Sequence, residues 1–293
     1  MRSMLFVPGD SQKKLEKSLQ SGADALIIDL EDSVAPASKE AARRVASAFL
    51  AGQSRSAGPV FYVRVNDFTT GLTDDDLAAV VPARPAGIML PKAASGQDVT
   101  RLSVTLRVHE AEAGLDDGAI RVIPLITETA AGLLAAGTYD ASLPRLAGVT
   151  WGAEDLSADV GARTARDASG RFTDVFRLAR AMTILAAAKA QTIAIDTVFT
   201  DFRDMEGLPT ECLEAERDGF SGKLAIHPAQ VPVINEAFTP SAEAIGQAEA
   251  IASAFAGAGD VGVVGIGGKM YDRPHLKRAE RLLARAKAAS ATR

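Results

Sequence analysis

The chain has 293 residues, of which 47% are hydrophobic and 24% are charged, a composition typical of a globular protein with a substantial core. A formal net charge of −5 argues against nucleic acid or an anionic membrane as a partner, and no apolar run approaches membrane-spanning length. The single cysteine, Cys212, excludes an internal disulfide bond and is interpreted as a packing residue. The first residues are interrupted too soon by Pro8 for a signal peptide, so we expect a soluble, cytoplasmic protein.

Short apolar runs alternate with helical patterns along the first 228 residues. Strands are predicted at 3–7, 25–30, 60–65, 87–90, 122–126, 148–151, 194–198 and 222–226. Helices are predicted at 12–20, 37–51, 74–81, 97–113, 129–136, 174–190, 209–218, 241–256 and 274–289. A turn is expected at 54–59 and a long loop at 159–173, where no apolar face repeats.

This alternation predicts an α/β fold, a (β/α)₈ TIM barrel over residues 1–228. An open doubly wound sheet is the alternative. Residues 229–293 have a different pattern and are predicted to form a C-terminal helical extension.

Two acidic groups follow neighbouring strands of this pattern. Glu128 follows the apolar run 120–126, while Glu154 and Asp155 follow the run 146–152. Because the two strands and the helix between them form a βαβ unit, both acidic groups should lie at one edge of a parallel sheet. Hard oxygen ligands at one edge predict a Mg²⁺ site. The alternative is that these acids only favour the starts of helices.

Further polar residues fall at the predicted strand ends: Asp29, Glu31, Asp32, Arg64, Asn66, Lys92, Asp196, Asp201 and His227. In a barrel these ends share the catalytic face. Helix starts would explain acids there but not Arg64 and Lys92, so the pattern favours the metal site. A Mg²⁺ ion held by two carboxylates leaves room for a 2-oxo or 2-hydroxy acid, whose carboxylate Arg64 can hold with two hydrogen bonds. Such a set suits aldol or Claisen cleavage.

Three other signals are weaker. The stretch 262–270 resembles a phosphate-binding loop only loosely, because Val263 and Met270 stand where glycine and serine or threonine are needed. His227 is equally consistent with a functional role and with a structural role before Pro228. The basic last helix is more often a solvated face than a phosphate-binding or partner-binding one.

Nine short segments stand together in the order of one known family. They are LFVPG at 5–9, DLEDSV at 29–34, RVN at 64–66, LPK at 90–92, ETA at 128–130, WGAEDL at 151–156, IDTV at 195–198, GKLAIHP at 222–228 and GKMYD at 268–272. Through these segments nearly the whole chain resembles the citrate lyase beta-subunit-like proteins of the HpcH/HpaI aldolase superfamily. That group includes malyl-CoA and citramalyl-CoA lyases.

The resemblance implies a Mg²⁺-dependent lyase that cleaves a 3-hydroxyacyl-CoA into an acyl-CoA and a 2-oxo acid. It also implies a trimer or a dimer of trimers. Glu128 and Asp155 are then the metal ligands, and Glu31 and Asp32 contact metal-bound waters. The substrate acid is bound by Arg64 together with Lys92, Glu128, Glu154 and Asp155.

The resemblance gives Asp272, with Arg64, a catalytic role. Asp272 stands where the family has an acid/base for the thioester methyl group, on a C-terminal segment that reaches a neighbouring protomer's active site. Tyr271 departs from the small aliphatic residue usual beside it. Three alternatives stay open: a citrate lyase beta subunit acting on a carrier-protein thioester, a malyl-CoA thioesterase or malate-synthase-like enzyme, and a non-catalytic acyl-CoA-binding protein.

Overall fold

The computed structural model describes residues 1–54, 58–204 and 206–291, and a ring of eight parallel strands forms its centre. The strands are β1 (Ser3–Pro8), β2 (Ala25–Asp29), β3 (Val60–Arg64), β4 (Gly87–Leu90), β5 (Arg121–Pro124), β6 (Val149–Thr150), β7 (Ala194–Asp196) and β8 (Gly222–Ala225). Their order in the sheet is β5-β4-β3-β2-β1-β8-β7-β6. Parallel bridges from Val122 to Leu146 and from Leu125 to Thr150 then join the β5 and β6 segments. The predicted TIM barrel is confirmed, and the open-sheet alternative is wrong.

Helices surround the strands and continue beyond them. They are α1 (Gln12–Ser18), α2 (Lys39–Ala51), α3 (Thr73–Val80), α4 (Gly96–Glu112), α5 (Ala130–Leu134), α6 (Ala153–Asp159), α7 (Asp174–Lys189), α8 (Gly207–Asp218), α9 (Gln230–Phe238), α10 (Ala242–Ala258) and α11 (Arg273–Ala291). Local chemistry sets some of their starts: Ser95 and Asp98 form a capping box at the start of α4. Within the described part of the chain, no helix combines the length and apolar character needed to cross a bilayer.

Strand alternation decides which side chains enter the barrel. Ala25 and Ile27 of β2 and Tyr62 of β3 belong to the apolar cluster inside the ring. Asp29 and Arg64, at the ends of the same strands, share that inward face and are register partners. In β7 the inward residue is Ile195, so Asp196 faces the helices instead.

The C-terminal extension has a small core of its own. A hairpin of β9 (Val263–Ile266) and β10 (Lys269–Asp272) packs with α10 and α11. Its buried residues are Ala248, Ile251, Phe255, Val264 and Ala279. By contrast, α9 contributes Val231, Ile234 and Phe238 to the main core, so barrel packing continues beyond the predicted boundary at residue 228.

Most predicted helices and strands match within a few residues, and the differences have local causes. No range was predicted for α6 or α9, although Glu154 and Asp155 were considered as acids at a helix start. The hairpin was not predicted because its glycines obscure the alternation of its strands. The loop at 159–173 is largely irregular after α6, with one antiparallel bridge between Arg166 and Phe172. Part of the turn predicted at 54–59 lies outside the described residues.

Gly222, the first residue of β8, lies close to the backbone that leads into β1. A Cβ atom added there would lie 2.5 Å from the carbonyl oxygen of Arg2, and it would clash with that of Met1 as well. We expect Gly222→Ala to lower the unfolding free energy by about 1–3 kcal/mol, because backbone must shift to admit the methyl group. Urea titration measures the change.

Gly246, inside α10 with open space at its Cβ position, provides the matched control. We expect Gly246→Ala to raise the unfolding free energy by about 0.5–1 kcal/mol. Equal effects of the two substitutions would contradict the crowding argument.

Candidate functional site

A cavity of about 410 Å³ opens at the carboxyl ends of the barrel strands. Its walls come from β1, β2, β3 and β8 and from the segments that follow β5, β6 and β7. The residues that line it are Phe6, Pro8, Asp29, Asp32, Ser33, Arg64, Leu125, Glu128, Trp151, Gly152, Ala153, Glu154, Asp155, Thr197, Val198, Leu224 and Ile226. Five of these carry a carboxylate and one carries a guanidinium, so the cavity as it stands favours a cation.

Arg64 is held by Asp29 through two parallel hydrogen bonds. Its Nε and Nη2 atoms each donate to a carboxylate oxygen of Asp29 at 2.8 Å. The remaining nitrogen, Nη1, lies 2.9 Å from Glu31 Oε2 and 3.5 Å from Asp32 Oδ2. Although burial opposes it, hydrogen bonding from Arg64 lowers the pKa of Asp29, which therefore stays ionised. The two-bond grip on a substrate predicted for Arg64 is thus already taken by Asp29.

Lys92 connects three of the predicted carboxylates. Its ammonium lies 2.5 Å from Glu31 Oε1 and 3.3 Å from Asp155 Oδ1, and its backbone N–H donates to Glu128 Oε2 at 2.6 Å. Lys92 has a φ of 50°, the left-handed conformation, which costs a non-glycine residue on the order of 1 kcal/mol. The residue with this strained backbone, Lys92, is the one whose N–H donates to Glu128.

Glu128 is the most strongly perturbed group in the cavity. It is only 3% exposed, and burial together with repulsion from Asp155 raises its pKa to about 8. Asp155 lies in the first turn of α6 with a third of its side chain exposed, and Glu154 beside it is exposed. Asp155 thus combines the two predicted roles, as an acid at a helix start and as a cavity carboxylate.

Glu128 and Asp155 are the residues that could hold a divalent cation. A cation between them would remove the repulsion that raises the pKa of Glu128, and carboxylate oxygens are the ligands that Mg²⁺ prefers. No group of three or more His, Cys, Asp or Glu side chains in the described ranges is arranged to hold a metal. Two protein ligands with the other positions left to water and substrate is a usual arrangement for Mg²⁺.

The structure brings most of the predicted site residues together but not all. Glu31 and Asp32 lie beside Arg64, and only Asp32 lines the cavity. His227 is exposed and stacks on Phe202 with 5.1 Å between ring centroids. Asp272 does not line the cavity; it caps α11 and contacts His275.

Two roles were not predicted from the sequence: that of Trp151, and that of Asp29 as the partner of Arg64. Trp151 forms a fully buried wall of the cavity, and Asp29, predicted only to lie at a strand end, orients Arg64. The available signal for Trp151 was that the only tryptophan stands three residues before Glu154. Asp196 was placed on the catalytic face, whereas it is fully buried and bonded to Trp151 and Lys223. Cys212 is also buried, and burial raises the pKa of its thiol to about 12.

Comparison with known proteins gives consistent results. The family model described as HpcH/HpaI aldolase/citrate lyase matches residues 2–228. A (3S)-malyl-CoA thioesterase from Cereibacter sphaeroides is 35% identical over 100% of this chain and 96% of its own. The mitochondrial citramalyl-CoA lyase of Mus musculus is 33% identical over 96% of this chain and 85% of its own. The crystal structure of CitE from Mycobacterium tuberculosis with magnesium, acetoacetate and coenzyme A matches with a TM-score of 0.76 and 33% identity, covering 98% of both chains.

Ionisation of Glu128 should destabilise the metal-free protein as the pH rises. Its pKa is about 8 in the folded chain against an ordinary value of 4.5. Its contribution to stability is therefore complete below pH 4.5 and is lost as the pH rises to about 8. Glu128→Gln lacks this titration. From about pH 5 to about pH 9, we expect the unfolding free energy of the wild type to fall by a few kcal/mol relative to this variant.

Urea titrations of both proteins in the presence of a chelator measure the difference. Parallel pH profiles for the wild type and Glu128→Gln would show that the folded chain does not hold the proton on Glu128.

Proposed function

The chain belongs to the HpcH/HpaI aldolase/citrate lyase family, and on that basis we propose that it is a Mg²⁺-dependent carbon–carbon lyase acting on a CoA thioester. The substrate is a 3-hydroxyacyl-CoA of the malyl-CoA or citramalyl-CoA type, and the products are an acyl-CoA and a 2-oxo acid. The observation that carries the proposal is the pair of Glu128 and Asp155. Both carboxylates line one cavity, where burial and the charge of Asp155 raise the pKa of Glu128 to about 8, and a divalent cation held by both would offset that repulsion.

Glu128 and Asp155 would hold the magnesium ion. Glu128 is fixed by the Lys92 N–H at 2.6 Å, and Asp155 is fixed by its place in the first turn of α6. When bound, the ion supplies Lewis-acid stabilisation of the negative charge that develops on the substrate oxygen. Glu31 and Asp32 both contact Arg64 Nη1, and these contacts would keep the guanidinium beside the metal position. They are suited to accept hydrogen bonds from water around the ion.

Arg64 and the apolar wall orient the acid part of the substrate. Because Asp29 occupies Nε and Nη2, Nη1 is the nitrogen through which Arg64 would bind an incoming carboxylate, in exchange for its contacts with Glu31 and Asp32. Lys92 adds a second positive charge 3.3 Å from Asp155, and Glu154 stands at the rim. Leu125, Trp151 and Leu224 give the cavity dry walls, which strengthen these electrostatic contacts.

Asp272 is proposed to move the protons. In the cleavage direction its carboxylate accepts the proton of the 3-hydroxyl group as that carbon becomes the carbonyl of the 2-oxo acid. The electron pair of the broken carbon–carbon bond becomes the enolate of the acyl-CoA. Protonated Asp272 then returns its proton to the α-carbon of that enolate, which regenerates the carboxylate. Hydrogen bonding from His275 lowers the pKa of Asp272, so the group begins as a base.

Since Asp272 does not line the cavity of its own chain, the proposal requires a second copy to supply it. The extension presents two apolar side chains for such a contact, Val263 at 50% and Met270 at 65% exposure. We therefore propose a trimer or a dimer of trimers in which each extension completes a neighbouring site. Nucleic acid and membranes have no role in this arrangement.

The activity can be tested with a panel of 3-hydroxyacyl-CoA thioesters, with Mg²⁺ and with chelator, and with products identified by mass spectrometry. We expect equal amounts of acyl-CoA and 2-oxo acid with Mg²⁺ and neither with chelator. Asp155→Ala should reduce the rate by more than about 100-fold, since a direct ligand matters at least as much as the groups around it. Asp174→Ala, an exposed acid outside the cavity, is the control.

Other product patterns would identify the alternatives. Free hydroxy acid and CoA without a 2-oxo acid would refute the lyase in favour of a thioesterase. Turnover only of a carrier-protein thioester would indicate a citrate lyase beta subunit.

A mixing experiment tests whether Asp272 acts across protomers. Asp155→Ala and Asp272→Ala should each be inactive, yet mixed assemblies should regain activity, because one copy keeps an intact cavity and its neighbour keeps an intact Asp272. Random mixing in a symmetric assembly should restore roughly a quarter of wild-type activity. Mixing Asp155→Ala with Glu128→Ala, both changes in one cavity, is the control and should restore none. Mixed assemblies that stay inactive would refute the shared site.

A further inference from the structure

Trp151 is one member of a closed ring of side-chain contacts behind the cavity. Its indole Nε1 donates to Asp196 Oδ1 at 2.8 Å. The other oxygen of Asp196 accepts from Lys223 Nζ at 2.7 Å, and the same ammonium donates to Glu211 Oε1 at 2.7 Å. Asp196 and Lys223 are fully buried, and Glu211 nearly so. These bonds join β6, β7, β8 and α8 outside the barrel wall.

The ring closes through the loop that follows α6. Glu211 Oε2 accepts from Arg166 Nη2 at 2.6 Å. The guanidinium of Arg166 lies 3.8 Å from the centroid of the Phe172 ring. Phe172 in turn packs edge-on against Trp151, with centroids 5.1 Å apart. We call this set the Trp151 ring: Trp151, Asp196, Lys223, Glu211, Arg166 and Phe172.

The charges of the Trp151 ring balance, with two carboxylates against two cations. Removing one charged member would leave its partner buried and uncompensated, which makes the ring act as a unit. Apolar side chains of similar volume would stabilise the fold equally well or better. What the ion pairs and the indole hydrogen bond add is directionality, since each holds its partner at one position and angle.

Only Trp151 of this ring lines the cavity, and its chain neighbour touches Glu128. A Cβ atom on Gly152 would lie 2.7 Å from Glu128 Cγ and 2.9 Å from Glu128 Oε1. Gly152 is also the residue that precedes α6, whose first turn carries Asp155. A displacement of Trp151 would therefore move the segment that packs on Glu128 and starts the helix bearing Asp155.

The same ring contacts the chain on both sides of helix α6. Trp151 is held two residues before the helix, and Arg166 is held in the loop seven residues after its end. Asp155 lies between these two anchors on a helix of only seven residues. A helix this short depends on tertiary contacts for its position.

We propose that the Trp151 ring is a positioning device for the metal ligands, which sets the placement of Asp155 relative to Glu128. Asp196 and Arg166 are thereby positioning residues that act through Trp151 and α6 without touching the substrate. This inference rests on the proposed function, because it takes Glu128 and Asp155 to hold Mg²⁺.

The chain offers a direct probe, since Trp151 is its only tryptophan. Asp196→Asn keeps an oxygen for the indole N–H but removes the charge that pairs with Lys223. Arg166→Gln opens the ring at its most exposed charged member, with 28% of the side chain accessible. Asp24→Asn is the matched control, because Asp24 is buried like Asp196 and holds Arg2 with three hydrogen bonds away from the cavity.

Full-length wild type and variants are titrated with Mg²⁺ by calorimetry, and Trp151 emission and acrylamide quenching are recorded. Asp196→Asn and Arg166→Gln should each raise the Mg²⁺ dissociation constant about 10-fold or more, the usual effect of losing a group that orients metal ligands. Their Trp151 emission should move to longer wavelength and quench more readily. Asp24→Asn should lower the melting temperature without changing Mg²⁺ affinity or emission.

The outcomes separate this inference from the proposed function. Wild type that binds no Mg²⁺ refutes the proposed function, and the inference with it, before any variant is compared. Wild type that binds Mg²⁺ while folded Arg166→Gln binds it equally tightly refutes the positioning role alone. Equal weakening by Asp24→Asn also refutes it, since the effect would then be general destabilisation. If Asp196→Asn does not fold, Arg166→Gln decides the question.

Discussion

The repulsion between two carboxylates, Glu128 and Asp155, is the constraint around which the rest of this structure is arranged. Glu128 is almost fully buried, and its pKa of about 8 reflects both lost hydration and the neighbouring charge. A fold keeps such a pair only if the surrounding structure holds it in place. Lys92 does this from one side, with a strained backbone conformation that aims its N–H at Glu128. The short helix α6 does it from the other side.

Side chains of opposite charge alternate along a series of contacts that leads away from Glu128 and Asp155. Lys92 contacts Asp155 and Glu31, Glu31 lies beside Arg64, and Arg64 is held by two bonds to Asp29. Each cation is matched by carboxylates, so no positive charge is left over to neutralise Glu128 and Asp155 fully. The negative charge of Glu128 and Asp155 is thus not matched by the surrounding cations. This is why a divalent cation is the occupant that fits the proposed function best.

The barrel and the extension divide the proposed chemistry between them. Binding and orientation groups come from the carboxyl ends of the barrel strands and from the segments that follow them, including the first turn of α6, and these converge on one face. The proton-handling group comes from Asp272, on an extension with its own small core. In the proposed assembly this separation means that a site is complete only when two copies associate, so assembly and activity depend on the same contact. The ion pairs behind Trp151 also serve the proposed site. They hold Trp151 at one position and angle, which apolar packing of the same volume would not do.

Much of this protein could be predicted from its sequence alone. The strand and helix periods predicted the barrel, because parallel strands buried on both faces must be nearly continuous runs of apolar residues. The polar residues at the ends of those runs marked the cavity: Arg64, Glu128 and Asp155 line it, and Lys92 contacts the two carboxylates. These features were readable because each depends on residues that are neighbours along the chain.

Only the tertiary structure decided which charges meet. Strand register paired Asp29 with Arg64, so that Asp29 occupies two of the three guanidinium nitrogens of that arginine. Strand alternation turned Asp196 away from the cavity to face Lys223. Asp272 lies on the C-terminal hairpin, outside the cavity of its own chain. The physical reason is that ion pairing depends on distances of a few ångströms between residues far apart in sequence. Those distances are set by register, helix placement and packing, which no local pattern encodes.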